Sequence, residues 1–210
     1  MMNLREILAA DRVREASLPR DVDQRVVLHD VSWQDFELLL AMRGDRAGVR
    51  VTYLEGELEL MSPSQSHESI KTTIARILEA YVLERGIDIG GYGSWTLKNV
   101  AKERALEPDE CYIVGSAPKT QPDLAIEVIW TSGGLDKLEV YRGLGVQEVW
   151  VWRANQIQVY ELRSEQYQRI EQSTLFPDFD LDTVARCISE AESQTKAVIT
   201  ALAALRERSA

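Results

Sequence analysis

Alternation of apolar and polar residues is clearest at VRVTYL and ELELM, two short runs separated by Glu55-Gly56, and it predicts a β-hairpin. After the loop MSPSQS the period changes from two to helical. Ile70, Ile74, Ile77, Leu78, Tyr81 and Val82 mark one apolar stripe, with Ser66 as candidate cap and Gly86 as the stop. Upstream, Leu4, Ile7 and Leu8 predict a short helix over 3–15, and RVVLH, within Asp21 to His29, predicts a strand. Ser32, with Asp35 three residues on, opens a helix through Phe36, Leu39, Leu40 and Arg43 that Gly44 stops. Four strands follow, Ser94–Lys98, Leu106–Val114, Leu124–Trp130 and Glu148–Arg153, with a helix near Leu135–Leu144 between the last two. Ile157–Leu162 adds another strand. From Asp182 onward the chain is alanine-rich and helical, with Val184, Cys187, Ile188, Val198, Leu202 and Leu205 available either to close the core or to form a dimer seam.

That order predicts an α/β protein with a mixed β-sheet flanked by helices, with an extra N-terminal hairpin and a C-terminal helix. A single domain is expected over 1–210, with its core at about 32–162 and a helical tail at about 180–208.

Composition changes this picture little. Hydrophobic residues make up 45% and charged residues 28% of the chain, an ordinary globular balance. No apolar run is long enough for a membrane span, and MMNLREILAADR lacks the apolar core of a secretion signal. Cys111 and Cys187 form neither a disulfide framework nor a CxxC metal site, which fits a cytoplasmic protein. The net charge of −10 argues against a general grip on nucleic acid, although a local patch can still be basic.

The candidate chemistry lies between Leu106 and Trp152. By strand parity Ala125, Glu127 and Ile129 share one face, and Glu107, Asp109, Cys111 and Ile113 share a face of the preceding strand. If those strands are neighbours, Asp109 and Glu127 lie close together, and two like charges in apolar runs call for a cation between them. A divalent metal suits such oxygen ligands, and Lys137, at the start of the next helix, suits phosphate chemistry. The alternative is structural: Asp109 caps a turn after Pro108, Glu127 pairs with Arg104 or Arg142, and Lys137 is a solvated surface lysine.

These pieces resemble the Uma-type restriction endonuclease family, numerous in cyanobacteria and part of the PD-(D/E)XK nuclease superfamily. The resemblance runs from about Ser32 to Leu162. It rests on YLEGELELMSPSQSHESI, the Pro108-Asp109 step, PDLAIEVI with Glu127, KLEVY, and GVQEVWVW, in that order. It implies a restriction-endonuclease-like core, with Asp109 and Glu127 as ligands of one Mg²⁺ or Mn²⁺ and with Asp109, Glu127 and Lys137 as the catalytic set. The motif lysine belongs two residues after Glu127, where Ile129 stands; Lys137 is placed to replace it. His67 matches a recurrent family histidine, and its other reading is a helix-start residue bonded to a loop. Asp123 lies too near Glu127 to replace Asp109 and reads as a turn residue at the head of its strand. Two departures stand out: Trp130-Thr131-Ser132-Gly133-Gly134 replaces a Ser-Pro-Ser-like loop, and Arg153 stands where the later strand commonly ends in Trp-x-x-Asp.

The implied activity is metal-dependent phosphodiester hydrolysis by an endonuclease acting on DNA, with a homodimer expected and no membrane partner. Two rival functions stay open: a catalytically silent nuclease-fold binding or scaffold protein, and a hydrolase of a small phosphoester.

Overall fold

A computed structural model describes residues 21–44, 48–129 and 134–207. Strands β1 (Gln24–Leu28), β2 (Arg50–Leu54), β3 (Glu57–Ser62), β5 (Leu97–Asn99) and β6 (Arg104–Leu106) form one sheet, in the order β1-β3-β2-β6-β5. A second sheet holds β4 (Ile89–Gly91), β7 (Glu110–Val114), β8 (Leu124–Val128), β9 (Glu148–Arg153), β10 (Gln156–Arg163) and β11 (Gln166–Ile170), in the order β11-β10-β9-β8-β7-β4. Among the described residues only β8 and β9 pair in parallel, across the helix α3 (Lys137–Leu144). The α/β class and the mixed sheet are as expected, but the strands divide between two sheets.

Each face of the second sheet has its own cover. Leu124, Ile126, Val128, Trp150 and Trp152 pack with α2 (Gln65–Arg85), α4 (Leu181–Glu190) and α5 (Gln194–Glu207). Ala125, Val149 and Val151, on the opposite face, pack with Val140, Tyr141 and Leu144 of α3. The first sheet is covered by α1 (Trp33–Arg43) through Phe36, against Val51, Tyr53 and Leu58. Ser32 caps α1 by accepting from the Asp35 amide, as the sequence predicts.

Several expectations need correction. The single strand Leu106–Val114 is broken at Glu107-Pro108-Asp109, where the chain leaves one sheet and enters the other. Pro108 has no N–H for either ladder. Glu107 is turned away instead: it accepts from Arg43, from the Val51 amide (3.2 Å) and from Thr96 (2.8 Å). Ser64, not Ser66, caps α2, accepting from the His67 amide at 3.2 Å; Ser66 bonds to Asp21. Both serines precede the same apolar stripe, so periodicity could not choose between them. The strand expected at Ser94–Lys98 is β5, three residues later at its start, and β4 and β11 had no alternation strong enough to be read.

The C-terminal helix is two helices. Ala191 is extended (φ −77°, ψ 139°), and the Ser193 hydroxyl accepts from the Lys196 amide, which starts α5 afresh. Ala201 and Leu205 lie in the main core, so the tail closes it. The helix expected over 3–15, and Trp130 with the turn after it, lie outside the described residues. Among the described residues no helix is long and apolar enough to cross a membrane.

Candidate active site

β7 and β8 run antiparallel with Glu110 opposite Ile126, so Asp109 and Glu127, the next pair out, face each other across the two strands. Both are 1% exposed. The Pro108 break leaves Asp109 free of ladder geometry, and its Oδ2 accepts from the Val128 amide at 2.8 Å. The same Oδ2 lies 2.9 Å from Nε2 of His67, whose Nδ1 is 3.1 Å from Asp23 Oδ2. His67 is fully buried in the first turn of α2, where the Ser64 cap orients the turn. Asp23 is in turn held by the Ser64 amide at 2.8 Å. Asp23, His67 and Asp109 therefore form a buried row linking the segment before β1, the start of α2 and the junction between the sheets.

Glu127 is held from α3. Its Oε2 accepts from the Lys137 ammonium at 2.5 Å, and its Oε1 accepts from the Tyr141 hydroxyl. Lys137 and Tyr141 are four residues apart, so one face of α3 presents both groups to one carboxylate. Asp136 caps α3 by accepting from the Leu138 and Glu139 amides. The loop entering the helix is tied down by buried Glu59, whose Oε2 accepts from the Leu135 amide at 3.0 Å and lies 3.3 Å from Arg25 Nε. Gly134 lets the Glu59 carboxylate and the Arg25 guanidinium approach the backbone there, since a Cβ on it would push them aside.

The charges do not compensate equally. Burial pushes Asp109 up, but the Lys137 charge, the His67 contact and the Val128 amide outweigh it and hold the carboxyl below the usual carboxylate range. Burial and the Asp109 charge push Glu127 up, and Lys137 and Tyr141 offset only part of that. Burial pulls Lys137 down, yet the Glu127 and Asp109 charges prevail and raise it to about 12, so it stays an ammonium. His67 follows the same logic: burial lowers it, Asp109 and Asp23 outweigh burial, and it rises to about 9.

Asp109 Oδ1 is buried and makes no hydrogen bond, and neither do His67 Nε2 and Arg50 Nε beside the same carboxylate; Arg50 Nε forms an ion pair with Oδ1 at 3.8 Å. Among the described residues no group of three or more His, Cys, Asp or Glu side chains is arranged around a common metal position. The site thus offers a buried Asp109 oxygen without a hydrogen bond, beside a Glu127 held by the Lys137 ammonium. Two carboxylates are enough for Mg²⁺, which keeps several waters and takes substrate phosphate oxygens. The donor set fits a hard divalent cation. A cavity of about 260 Å³ reaches Glu127 and Lys137; Arg25, Arg153, Gln158 and Tyr160 also line it.

The structure brings Asp109, Glu127, Lys137 and His67 together and leaves Asp123 out. Asp123 accepts from the Val114 amide and from Lys119 at the head of β8, a turn role. The arginines considered as partners of Glu127 are engaged elsewhere: Arg104 pairs with Glu55 and Glu139, and Arg142 with Glu139. Sequence reasoning missed Asp23, Glu59 and Tyr141. A carboxylate on the Met61 face of the hairpin was a usable sign for Glu59, as was the four-residue spacing from Lys137 for Tyr141. Asp23 gave no sign.

No curated protein matches the chain. A crystal structure described as "a putative nuclease belonging to DUF820" from Anabaena variabilis ATCC 29413 is similar, with 13% identity, a TM-score of 0.47, and coverage of 72% of this chain and 90% of that one. The family model Uma2, described as "Putative restriction endonuclease", matches residues 33–189, and the chain belongs to that family.

Proposed function

We propose that this protein is a metal-dependent phosphodiester hydrolase, an endonuclease acting on DNA. The observation that carries the reading is the buried pair Asp109 and Glu127, opposed across two strands with the Lys137 ammonium against one and an unbonded oxygen on the other. Asp109 and Glu127 would hold one Mg²⁺ or Mn²⁺, with a backbone carbonyl beside Glu127 as a further ligand. When bound, the ion supplies an activated water and neutralises a non-bridging phosphate oxygen. The Val128 amide and the His67 ring hold Oδ2 of Asp109, with Asp23 behind His67, which leaves Oδ1 as the oxygen for the ion. An ammonium has three N–H donors, and Lys137 gives one to Glu127. The others are available for the charge that develops on the phosphate. Because Lys137 stays protonated, it stabilises charge rather than accepting a proton.

Supercoiled-plasmid nicking in Mg²⁺ tests this reading, with Mn²⁺ titration calorimetry alongside. Asp109→Asn and Glu127→Gln are expected to abolish cleavage and weaken the calorimetric site. Lys137→Ala is expected to lower the rate by about 10² while Mn²⁺ still binds. Cleavage at the wild-type rate in both carboxylate variants would sink the assignment.

One observation favours a second reading. Ile129 occupies the usual lysine position, and both carboxylates already have protein donors, as suits a silent nuclease-fold binding protein. Such a protein would bind no Mn²⁺ that is lost on Asp109→Ala. A small-phosphoester hydrolase would cleave a generic phosphodiester and leave plasmid intact.

A further inference from the structure

β8 and β9 pair in parallel with Glu127 beside Val151 and Val128 beside Trp152, and the Ile129 amide donates to Trp152 O. The next residue out on β9 is Arg153, so it stands beside Ile129. The sheet position that lacks a lysine on its own strand has a guanidinium on the next one. Arg153 continues the row Val149, Val151, Arg153 on the α3 face, and all three line the cavity that reaches Glu127 and Lys137.

The other charged groups lining that cavity are engaged. Glu59 accepts from Leu135 and sits by Arg25, Glu127 holds Lys137, and Asp136 caps α3. Arg153 is exposed and, among the described residues, makes no ion pair or side-chain hydrogen bond. Its backbone is not loose: Ala154 and Asn155, with φ of 51° and 61°, make the tight turn into β10, where Gln156 pairs with Arg153. An unpaired guanidinium on a rigid hairpin, at the mouth of a cavity in a chain of net charge −10, is a site for an anion.

We propose that Arg153 binds a phosphate of a nucleic-acid strand, the one flanking the phosphate that is cut. The inference rests on the phosphodiester-hydrolase reading and extends it. One strand over and two residues along from Glu127, about 4.8 Å and about 6.6 Å respectively, Arg153 is too far out for the group at Lys137 and within an arginine's reach of its neighbour. The substrate class it selects is a strand with phosphates in series, not a lone phosphodiester.

The test is fluorescence anisotropy of a labelled DNA duplex of about two helical turns, in Ca²⁺ across a salt series. Wild type, Arg153→Gln, Arg153→Lys and Lys196→Gln are compared, the last removing a distant cation on α5. Arg153→Gln is expected to weaken binding about tenfold and to lower the slope of log affinity on log salt by about one. Arg153→Lys should recover the slope, Lys196→Gln should match wild type, and Mn²⁺ affinity should be unchanged in all. If wild type binds and Arg153→Gln equals it in affinity and slope, the Arg153 assignment is overturned while the hydrolase reading stands. If wild type neither binds the duplex nor nicks plasmid, both fall.

Discussion

Asp109, just before β7, and Glu127, on β8, oppose each other, yet they are stabilised differently. Asp109 has His67, the Val128 amide and the Lys137 charge, and its carboxyl is held down; Glu127 remains raised by burial. A carboxyl with a raised folded pKa contributes stability at low pH, which is lost as pH rises through that value. Glu127→Gln should therefore keep or gain thermal stability in metal-free buffer. Its advantage over wild type should grow from the ordinary carboxylate range toward neutrality. Asp109→Asn should do the reverse, costing about 3 kcal/mol at neutral pH because it unpairs a buried charge, with the loss shrinking as acid removes the wild-type carboxylate's advantage. Chemical denaturation across pH reads both; equal responses would refute the asymmetry. Cys111 gives an independent check, since burial pushes its thiol up to about 12. It should resist thiol reagents at mildly alkaline pH until the chain unfolds. Strand parity made the opposition of the two acids legible. It could not show what sits behind Asp109, because Asp23 and His67 lie 44 residues apart in sequence.

The decisive element is α3, which carries Lys137 and Tyr141 to Glu127. Its position is set from the first sheet: Arg104, on β6, bridges Glu55 of the hairpin turn and Glu139 of the helix. Gly143 lets that guanidinium lie against the helix, since a Cβ there would meet the Arg104 side chain. Gly143→Ala is expected to destabilise the fold by about 2 kcal/mol, the cost of overpacking. It should also lower cleavage by shifting Lys137. Unfolding curves and nicking rates together check this. The helix itself was readable, near Leu135–Leu144. The break at Pro108 was not, because alternation on both sides of it is in phase with one continuous strand, and a single missing N–H decides where the ladder changes sheets.

On the scale of the molecule, the two C-terminal helices complete the core under the β8–β9 face, opposite the site. Leu205→Ala should cost about 3 kcal/mol by the cavity it leaves, without touching Mn²⁺ affinity. A matched loss of metal binding would mean that the tail also shapes the site. Hydrophobic period, with cap and stop residues, determined the hairpin, the long helix and the strand of Glu127, since burial of one face imposes that repeat. It also gave Asp109 and Glu127 the parity at which they oppose each other if their segments are neighbours. Only the tertiary structure decided that the strands split into two sheets, that the tail closes the core, and that His67, Asp23 and Arg153 join the site. Those contacts bring together residues far apart along the chain, and periodicity carries no information about which distant faces meet.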